Sequence, residues 1–362
     1  MISLEYVHNS YVGFPQVESL MSTRREGFGK SVAILAVLLG AVLLTSAIFM
    51  LQPRKVEIRL SGSTTLYPLA TRWAEEYMQK NPDYTIDVSG GGSGKGISDV
   101  AQSLVDIGMS SRHLKSEERE SYPSLIPIPV AHDAVMVIVN SRNPLLNTLL
   151  EKGVSRYALF KVYVEGSLKS WEYVAGVDLD GDKYIDYNET HAFNPETGLL
   201  EYMPTDYAFS AGYEIHPVTR SDASGTAETF AEFLGVSQED LKGVGVLGNP
   251  GVLQTVAGDP LAIGYVGLAF AFKEGVCALP VDANDNGIID VHEHADSEDY
   301  VASHIADYPI SRVLFFIVNG KPPMEVADFI QWCLTEGQGY VSEVGYVPLT
   351  PEEVEESLEL VL

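Results

Sequence analysis

The sequence predicts an α/β fold in which helices cover both faces of the sheet. Beyond residue 56, strand-like segments alternate with helix-like segments along the chain. This alternation is typical of α/β domains. The chain has 362 residues, of which 46% are hydrophobic, so it is long enough to form two lobes with packed cores.

The predicted elements follow from the spacing of the apolar residues. Residues 65–80 form the clearest helix, because Leu66, Leu69, Trp73 and Tyr77 recur on one helical face. Further helices are predicted at 96–105 and 324–336. Strands are predicted at 56–60, 84–89, 126–130, 134–139, 214–218, 262–266 and 312–318.

An apolar segment near the N-terminus predicts a transmembrane helix. Residues 31–51 carry no charge, and at ~1.5 Å per residue they span roughly 31 Å, the thickness of a bilayer core. The alternative is a cleaved secretory signal, but the run exceeds a usual signal core and no clean A-x-A site follows it. The flanking basic residues slightly favour an inside N-terminus. We therefore predict a short tail at 1–30, a single-pass membrane anchor at 31–51 and an extracytoplasmic body at the cell membrane.

The overall charge excludes one class of partner. The formal net charge is −27, which argues against nucleic-acid binding, because phosphate backbones would be repelled and no basic stripe compensates. The chain has two cysteines, Cys277 and Cys333. There is therefore no disulfide framework, and the sequence does not decide whether these two cysteines form a single bridge.

Three segments rich in glycine and small hydroxyl residues precede helix-like runs. They are GSTTLYP at 62–68, GGGSGKG at 90–96 and TRSDASGT at 219–226, and we call them the anion turns. A helix start carries unpaired N–H groups and about half a positive charge, so it attracts an anion. Three such turns in one chain predict a bound oxyanion.

Two catalytic interpretations of the second anion turn fail. A nucleotide P-loop requires a glycine where the chain has Ser89, and a serine or threonine where it has Gly96. A nucleophile elbow around Ser93 requires a glycine where the chain has Lys95. We therefore predict that the protein is not an enzyme, and a phosphatase that uses the same turns is the less favoured alternative.

The ordered motifs resemble those of the substrate-binding proteins of ABC phosphate-uptake systems. The resemblance covers residues 56–349, from LSGSTTLYPLATRWAEEY through DVSGGGSGKGI, DIGMSSR, AHDAVMVIVN, HPVTRSDASGTAETF, AIGYVGLAFA and YPISRVLFFIVNG to EVGYVPL. It implies a two-lobed periplasmic-binding-protein fold with mixed sheets. Lobe one would comprise 56–138 and 309–362, and lobe two 139–308. We expect a monomer that delivers inorganic phosphate to the membrane permease subunits of an ABC transporter.

The resemblance also implies a set of phosphate-binding residues. They are Ser63, Thr64, Thr65, Leu66, Ser93, Ser111, Arg112, Arg220, Asp222, Ser224, Gly225 and Thr226. In this set Asp222 holds the Arg220 guanidinium, whose fork matches two phosphate oxygens in a way that lysine cannot.

One position departs from the family pattern. Some members carry an aspartate where this chain has Ser111, and that aspartate accepts the proton of hydrogen phosphate and so excludes sulfate. Asp133 is the candidate replacement here, and the alternative is a hinge or turn aspartate. Without such an acceptor, a binding protein for sulfate, tungstate or another oxyanion stays open, as does a phosphate sensor.

Two acidic segments match the twelve-residue calcium loop of EF-hands. Residues 178–189 read DLDGDKYIDYNE, and residues 282–293 read DANDNGIIDVHE. The second has glycine at loop position 6, whereas the first has Lys183 there, which strains its turn or lowers its affinity. The alternative is an acidic solvated loop. We predict two structural calcium sites in lobe two, with the ligands Asp178, Asp180, Asp182, Tyr184, Asp186 and Glu189, and Asp282, Asn284, Asn286, Ile288, Asp290 and Glu293.

Overall fold

The computed structural model describes residues 55–174, 191–194, 199–202 and 213–361. The strands are β1 (Val56–Gly62), β2 (Tyr84–Gly90), β3 (Ile107–Ser110), β4 (Leu125–Asn140), β5 (Val154–Ser155), β6 (His191–Asn194), β7 (Leu199–Tyr202), β8 (His216–Arg220), β9 (Val244–Val246), β10 (Ala262–Gly267), β11 (Val276–Leu279), β12 (Val281–Asp282) and β13 (Ser311–Asn319).

The α-helices are α1 (Tyr67–Lys80), α2 (Ser93–Ala101), α3 (Ser116–Ser121), α4 (Leu146–Lys152), α5 (Arg156–Phe160), α6 (Trp171–Val174), α7 (Gly225–Leu234), α8 (Gly248–Gly258), α9 (Leu268–Ala271), α10 (Glu298–Ser303), α11 (Met324–Leu334) and α12 (Pro351–Val361). A π-helix follows α5 at Lys161–Glu165. Short 3₁₀ helices lie at Gln238–Asp240, Val291–Glu293, Glu336–Tyr340 and Ser342–Val344.

The main sheet is mixed and continuous. Its strand order is β2-β1-β3-β13-β4-β10-β8-β9, and β11 also pairs with β4. The pairs of β1 with β2 and β3, and of β8 with β9 and β10, are parallel. The pairs that involve β4 or β13 are antiparallel. The prediction of an α/β fold with mixed sheets is confirmed.

One long strand joins the two halves of this sheet. The sequence predicted separate strands at 126–130 and 134–139, and that prediction was wrong, because β4 runs unbroken over 16 residues. Its first part pairs with β13 as far as Ala134, and from Val135 onward it pairs with β10. The polar residues between the two predicted strands therefore stay within a hydrogen-bonded ladder.

The hydrophobic residues form two large cores, one on each half of the sheet. The first core includes Trp73 of α1 and Phe316 of β13, whose rings meet edge to face at 5.6 Å. The second includes Phe230 of α7 and Tyr265 of β10, whose rings stack at 4.3 Å. Two cores joined by one long strand are the physical basis of a two-lobed molecule, since each lobe buries its own apolar surface.

The second anion turn sets the start of its helix earlier than predicted. The sequence predicted a helix over 96–105, and α2 instead begins at Ser93 and ends at Ala101. Gly92, which precedes α2, has φ of +91°, a backbone conformation that is strained in a residue with a side chain. Beyond the end of α2, Ser103 has φ of +56°, so the helix does not continue through it.

Two predicted features lie outside the described residues. These are the transmembrane helix at 31–51 and the first calcium loop at 178–189. Within the described ranges, no helix combines the length and the apolar character needed to cross a bilayer.

Candidate functional site

The helices that follow the three anion turns begin next to one another. The Thr65 and Thr226 hydroxyls, before α1 and in the first turn of α7, are hydrogen-bonded at 2.9 Å. A Cβ placed on Gly225 would lie 2.5 Å from the hydroxyl of Ser93, the first residue of α2, and closer still to that of Ser111. Since the N-terminal ends of helices are positive, their convergence makes a positive region between the two cores.

The first anion turn is held by Ser63, which is buried. Its hydroxyl oxygen accepts hydrogen bonds from the N–H groups of Thr65 at 3.2 Å and Leu66 at 3.3 Å. Its own N–H donates to the carbonyl of Met109 on β3 at 2.9 Å. These bonds orient the turn, and they leave the O–H of Ser63 available as a donor.

Ser224 plays the same part at the third anion turn. It is the N-cap of α7, and its hydroxyl accepts from the N–H groups of Thr226 at 3.1 Å and Ala227 at 3.2 Å. Its own N–H donates to Oε1 of Gln238 at 3.0 Å. An N-cap serine fixes the direction in which the first N–H groups of a helix point.

Arg220 and Asp222 form a buried pair beside these turns. The guanidinium donates from Nε to Oδ1 of Asp222 at 2.8 Å and from Nη2 to Oδ2 at 2.5 Å. Nη2 also donates to the hydroxyl of Thr64 at 3.1 Å. The Arg220 side chain is 1% exposed, and its Nη1 has no hydrogen-bond partner among the described residues. The guanidinium is therefore oriented by Asp222 and keeps one donor group free.

A second buried guanidinium, which the sequence analysis did not single out, is hydrogen-bonded to Thr65. Arg312 on β13 donates from Nε and Nη2 to Oδ2 of Asp133 at 2.9 and 2.6 Å. Its Nη2 also reaches the hydroxyls of Thr65 at 3.1 Å and Thr226 at 3.2 Å. The side chain is 4% exposed, and Nη1 again lacks a partner within the described part of the chain.

The sequence does contain a signal for Arg312. It lies at the start of the apolar run RVLFFIV, where a charged residue in a buried strand requires a buried counter-ion. Complete burial raises the pKa of the Asp133 carboxyl, and the Arg312 charge opposes that effect. The two residues stand opposite each other in the register of β4 and β13.

Asn249, in the first turn of α8, is the other residue that the sequence analysis missed. Its side chain is buried, and Nδ2 donates to the Thr65 hydroxyl at 2.9 Å. Its N–H lies 3.3 Å from the Thr64 hydroxyl, and its Oδ1 accepts from the N–H of Gly267 at 3.3 Å. The segment GNPG, whose first glycine is the first residue of α8, was the available signal.

The turn after β3 contains two predicted phosphate-binding residues, and only one of them lies beside the three helix starts. Ser111 joins the cluster, because its N–H donates to Oγ of Ser93 at 3.0 Å. Arg112 does not, since its guanidinium makes two 2.7 Å bonds to the carboxylate of Glu118 and one to the carbonyl of His113. Burial would raise the pKa of the Glu118 carboxyl, but the bonds from Arg112 and the Lys115 backbone outweigh it and lower that pKa.

The second predicted calcium loop folds around two buried carboxylates. Asp282 accepts from the N–H groups of Asn286 at 3.1 Å and Gly287 at 2.8 Å. Glu293 accepts from the N–H groups of Ala283 and Asp290, each at 2.9 Å. Gly287 at loop position 6 has φ of +82°, the conformation for which the motif requires glycine. Oxygen atoms of Asp290 and Glu293 lie within 4.8 Å of each other and of a ring nitrogen of His292.

The cluster around Thr65 is rich in donors and poor in free acceptors. Two guanidinium groups, several hydroxyls and the starts of three helices face it, while both of its carboxylates are bound by arginine. Such a set stabilises an anion locally, whatever the net charge of the whole chain.

The chain is similar to known proteins in both sequence and fold. A family model described as the PBP superfamily domain matches residues 51–336. The phosphate-binding protein PstS of Bacillus subtilis is 26% identical over 299 residues, which cover 82% of each chain.

Two solved structures show the same fold. One, with bound phosphate, is assigned to a phosphate ABC transporter of Clostridium perfringens as its substrate-binding protein; it has a TM-score of 0.59 and 24% identity, and the match covers 81% of this chain and 100% of that one. An ABC-type phosphate transport receptor from Vibrio cholerae has a TM-score of 0.55 and 22% identity, again with 81% and 100% coverage.

Proposed function

Because the chain belongs to the PBP superfamily, we propose that it is an extracytoplasmic receptor that binds inorganic phosphate and delivers it to the permease subunits of an ABC transporter. The names of its relatives support the ligand, since PstS of Bacillus subtilis is a phosphate-binding protein. The fold supports the mechanism, since a ligand held between two lobes can be enclosed by hinge motion.

One observation carries the proposal. Two buried guanidinium groups, Arg220 and Arg312, each keep Nη1 without a partner among the described residues, beside the starts of α1, α2 and α7. A buried unsatisfied donor costs about 1–3 kcal/mol, and more if it is charged. A phosphate oxygen at each Nη1 would remove that cost, and arginine pairs with phosphate in this planar geometry.

The phosphate-binding residues of the proposal come from both cores. The half of the molecule built on the first core contributes Thr64, Thr65, Ser93 and Ser111, and the half built on the second core contributes Thr226. The remaining members are Ser63, Leu66, Arg220, Asp222, Ser224, Gly225, Arg312 and Asn249. Arg112 is assigned a supporting part, because its guanidinium is bound by Glu118.

The lobe boundaries of the proposal follow the pairing of β4. Lobe one comprises the residues of the first core, from 56 to the middle of β4 and again from 309 to 362. Lobe two comprises the residues between these two segments. The strand changes partner at Ala134 and Val135, so we place the first crossing there, a few residues before the boundary at 138.

The proposal includes a membrane tether and calcium. Residues 31–51 would anchor a monomeric body to the outer face of the cell membrane. Asp282 and Glu293, at the two ends of their loop, would bind Ca²⁺ with Asn284, Asn286 and Asp290, because carboxylate and amide oxygens suit that ion. Bound Ca²⁺ would offset carboxylate repulsion and tie down the insertion.

Calorimetric titration of the full-length chain, purified in mild detergent, tests the proposed function. We expect saturable heat with inorganic phosphate at a stoichiometry of one. The enzyme alternative is tested on the same sample with a chromogenic phosphate ester. Turnover of the ester, or the absence of phosphate binding, would contradict the receptor.

A further inference from the structure

Each arginine of the site is held by one aspartate, through Nε and Nη2 of its guanidinium. Asp222 binds Nε and Nη2 of Arg220, and Asp133 binds Nε and Nη2 of Arg312. In both cases Nη1 is the group without a partner in the described chain. Nη2 of each arginine donates to a hydroxyl of the first anion turn, Thr64 for one and Thr65 for the other. The two guanidinium groups are therefore hydrogen-bonded to consecutive residues of the same turn.

The acceptor positions of Asp133 are already used. Its Oδ2 accepts two bonds from Arg312, and its Oδ1 accepts the N–H of Leu268 at 2.9 Å. An ionised carboxylate offers about four lone-pair positions, so Asp133 has little capacity left for the proton of a ligand.

Asp222 is occupied in a comparable way. Besides its two bonds from Arg220, its Oδ1 accepts the N–H of Gly248 at 3.2 Å. The residue at the position where some members have an aspartate is Ser111, whose hydroxyl lies 3.3 Å from that of Ser93. Among the described residues of the cluster, each carboxylate thus serves as the counter-ion of an arginine.

The two positive charges also influence each other. Burial lowers the pKa of Arg312, and the charge of Arg220 acts in the same direction. Two guanidinium groups held close enough to repel are stabilised by an anion between them, and a dianion stabilises them more than a monoanion.

We propose that Arg220 and Arg312 form a double guanidinium clamp that recognises the charge and tetrahedral shape of an oxyanion and not its proton, so that sulfate binds together with phosphate. This inference rests on the proposed function, because the clamp is part of the same site. It makes Asp133 a positioning residue for Arg312. It also makes Arg312 a residue that contacts the ligand.

The ratio of two dissociation constants tests the clamp on the unaltered chain. A site that hydrogen-bonds a ligand group rejects an analogue lacking that group by about 10⁴–10⁵-fold. We expect the Kd for sulfate to exceed the Kd for phosphate by less than about 10³-fold, because neither ligand meets a free carboxylate. A ratio above about 10³ would overturn the inference and leave the phosphate receptor intact.

Two variants separate positioning from proton acceptance. In Asp133→Asn we expect both affinities to fall in proportion, because Arg312 loses its anchor. If Asp133 accepted the ligand proton, the variant would bind phosphate more weakly and sulfate more tightly than the unaltered chain. That result would overturn the inference. Arg312→Lys should weaken both ligands about 10-fold or more, since one bond to a charged group is worth ~1.5–3 kcal/mol.

The matched control is Asp87→Asn, which removes an exposed carboxylate on β2. It should leave both constants unchanged. Thermal melting identifies any variant that fails to fold. In that case the ratio of the sulfate and phosphate dissociation constants in the unaltered chain is the test of the inference. Binding of neither ligand, or of sulfate without phosphate, would contradict the proposed function and with it the inference that rests on it.

Discussion

The hydroxyls of Thr65 and Thr226 are hydrogen-bonded at 2.9 Å, although 161 residues separate them in the chain. Thr65 belongs to the turn before α1, in the half of the molecule built on the first core, and Thr226 belongs to α7 in the half built on the second. The bond therefore joins the two halves where Arg312 donates to both hydroxyls and Arg220 donates to the neighbouring Thr64. Changes at this point should affect ligand binding more than stability.

Arg220→Lys should weaken phosphate binding by about 10- to 100-fold. Lysine carries the charge but cannot bond to Asp222 through two nitrogens and present a third to the ligand, and one hydrogen bond to a charged group is worth ~1.5–3 kcal/mol. Calorimetric titration measures the loss. The exposed Arg119, changed to lysine in the same way, should show wild-type affinity. Equal phosphate affinity in the two variants would show that Arg220 does not bind the ligand.

Gly225→Ala should impair binding because the helix starts are too close to admit a methyl group. The added Cβ would lie 2.5 Å from the Ser93 hydroxyl, and such overpacking costs about 1–3 kcal/mol. We expect a loss of phosphate affinity of about 10-fold or more. Gly258→Ala is the control, because its Cβ would meet nothing within 4 Å. Melting curves and titrations of both variants make the comparison.

The ion pair between Lys115 and Glu228 should contribute weakly to closure of the two halves. Nζ of Lys115 lies 2.8 Å from Oε2 of Glu228 on α7, and the side chains are 33% and 11% exposed. Partly exposed pairs contribute about 0.2–1 kcal/mol, so Lys115→Gln should weaken phosphate binding at most about fivefold, and less in high salt.

A second lysine–glutamate pair provides the control for that prediction. Lys80 and Glu336 lie 2.6 Å apart, and both belong to elements of the first half of the molecule. Lys80→Gln removes a similar ion pair and should leave phosphate affinity unchanged at all salt concentrations. If both lysine variants lose affinity equally, the pair between Lys115 and Glu228 has no special part in closure.

The Arg112–Glu118 pair predicts a pH dependence of stability. Burial would raise the pKa of Glu118, but the bonds from Arg112 and Lys115 lower it in the folded state. A carboxylate with a lowered folded pKa stabilises the protein above its unfolded pKa, about 4.3, and loses that contribution as the pH falls through the folded pKa. Glu118→Gln should therefore lower the free energy of unfolding by ~1–2 kcal/mol at pH 7.

Denaturant unfolding at several pH values checks this sign. The difference between wild type and Glu118→Gln should be constant above about pH 5 and should shrink toward pH 3. A difference that grows as the pH falls would mean that the carboxylate is destabilising in the fold.

Removal of calcium should lower the melting temperature and leave phosphate affinity nearly unchanged. A ligand that binds only the folded state stabilises it by about 2.7 kcal/mol at 100 times its Kd. Excess EGTA should therefore shift the melting curve of the wild type downward. The double variant Asp282→Asn with Glu293→Gln should melt lower in calcium and respond less to EGTA. An unchanged wild-type curve in EGTA would count against both calcium loops.

Local sequence patterns were enough to predict the α/β class, the helices α1, α2 and α11, six of the thirteen described strands, and the three turns rich in glycine and small hydroxyl residues. Helical spacing, capping serines and glycine turns depend on neighbours a few residues away, so they can be recognised in the sequence. The observed α1 and α11 lie within the predicted ranges of 65–80 and 324–336. The two predicted strands that proved to be β4 show the limit, because polar residues in a buried ladder look like a break.

The tertiary structure alone decided which side chains meet at the site. It brought Arg312 and Asn249 to Thr65 from distant parts of the chain, and it turned Arg112 toward Glu118. These contacts depend on how two hydrophobic cores pack around a shared strand, and no local pattern specifies that packing. The sequence alone identified the three turns at which α1, α2 and α7 begin, whereas the packing of the two lobes determined which charged side chains surround these turns.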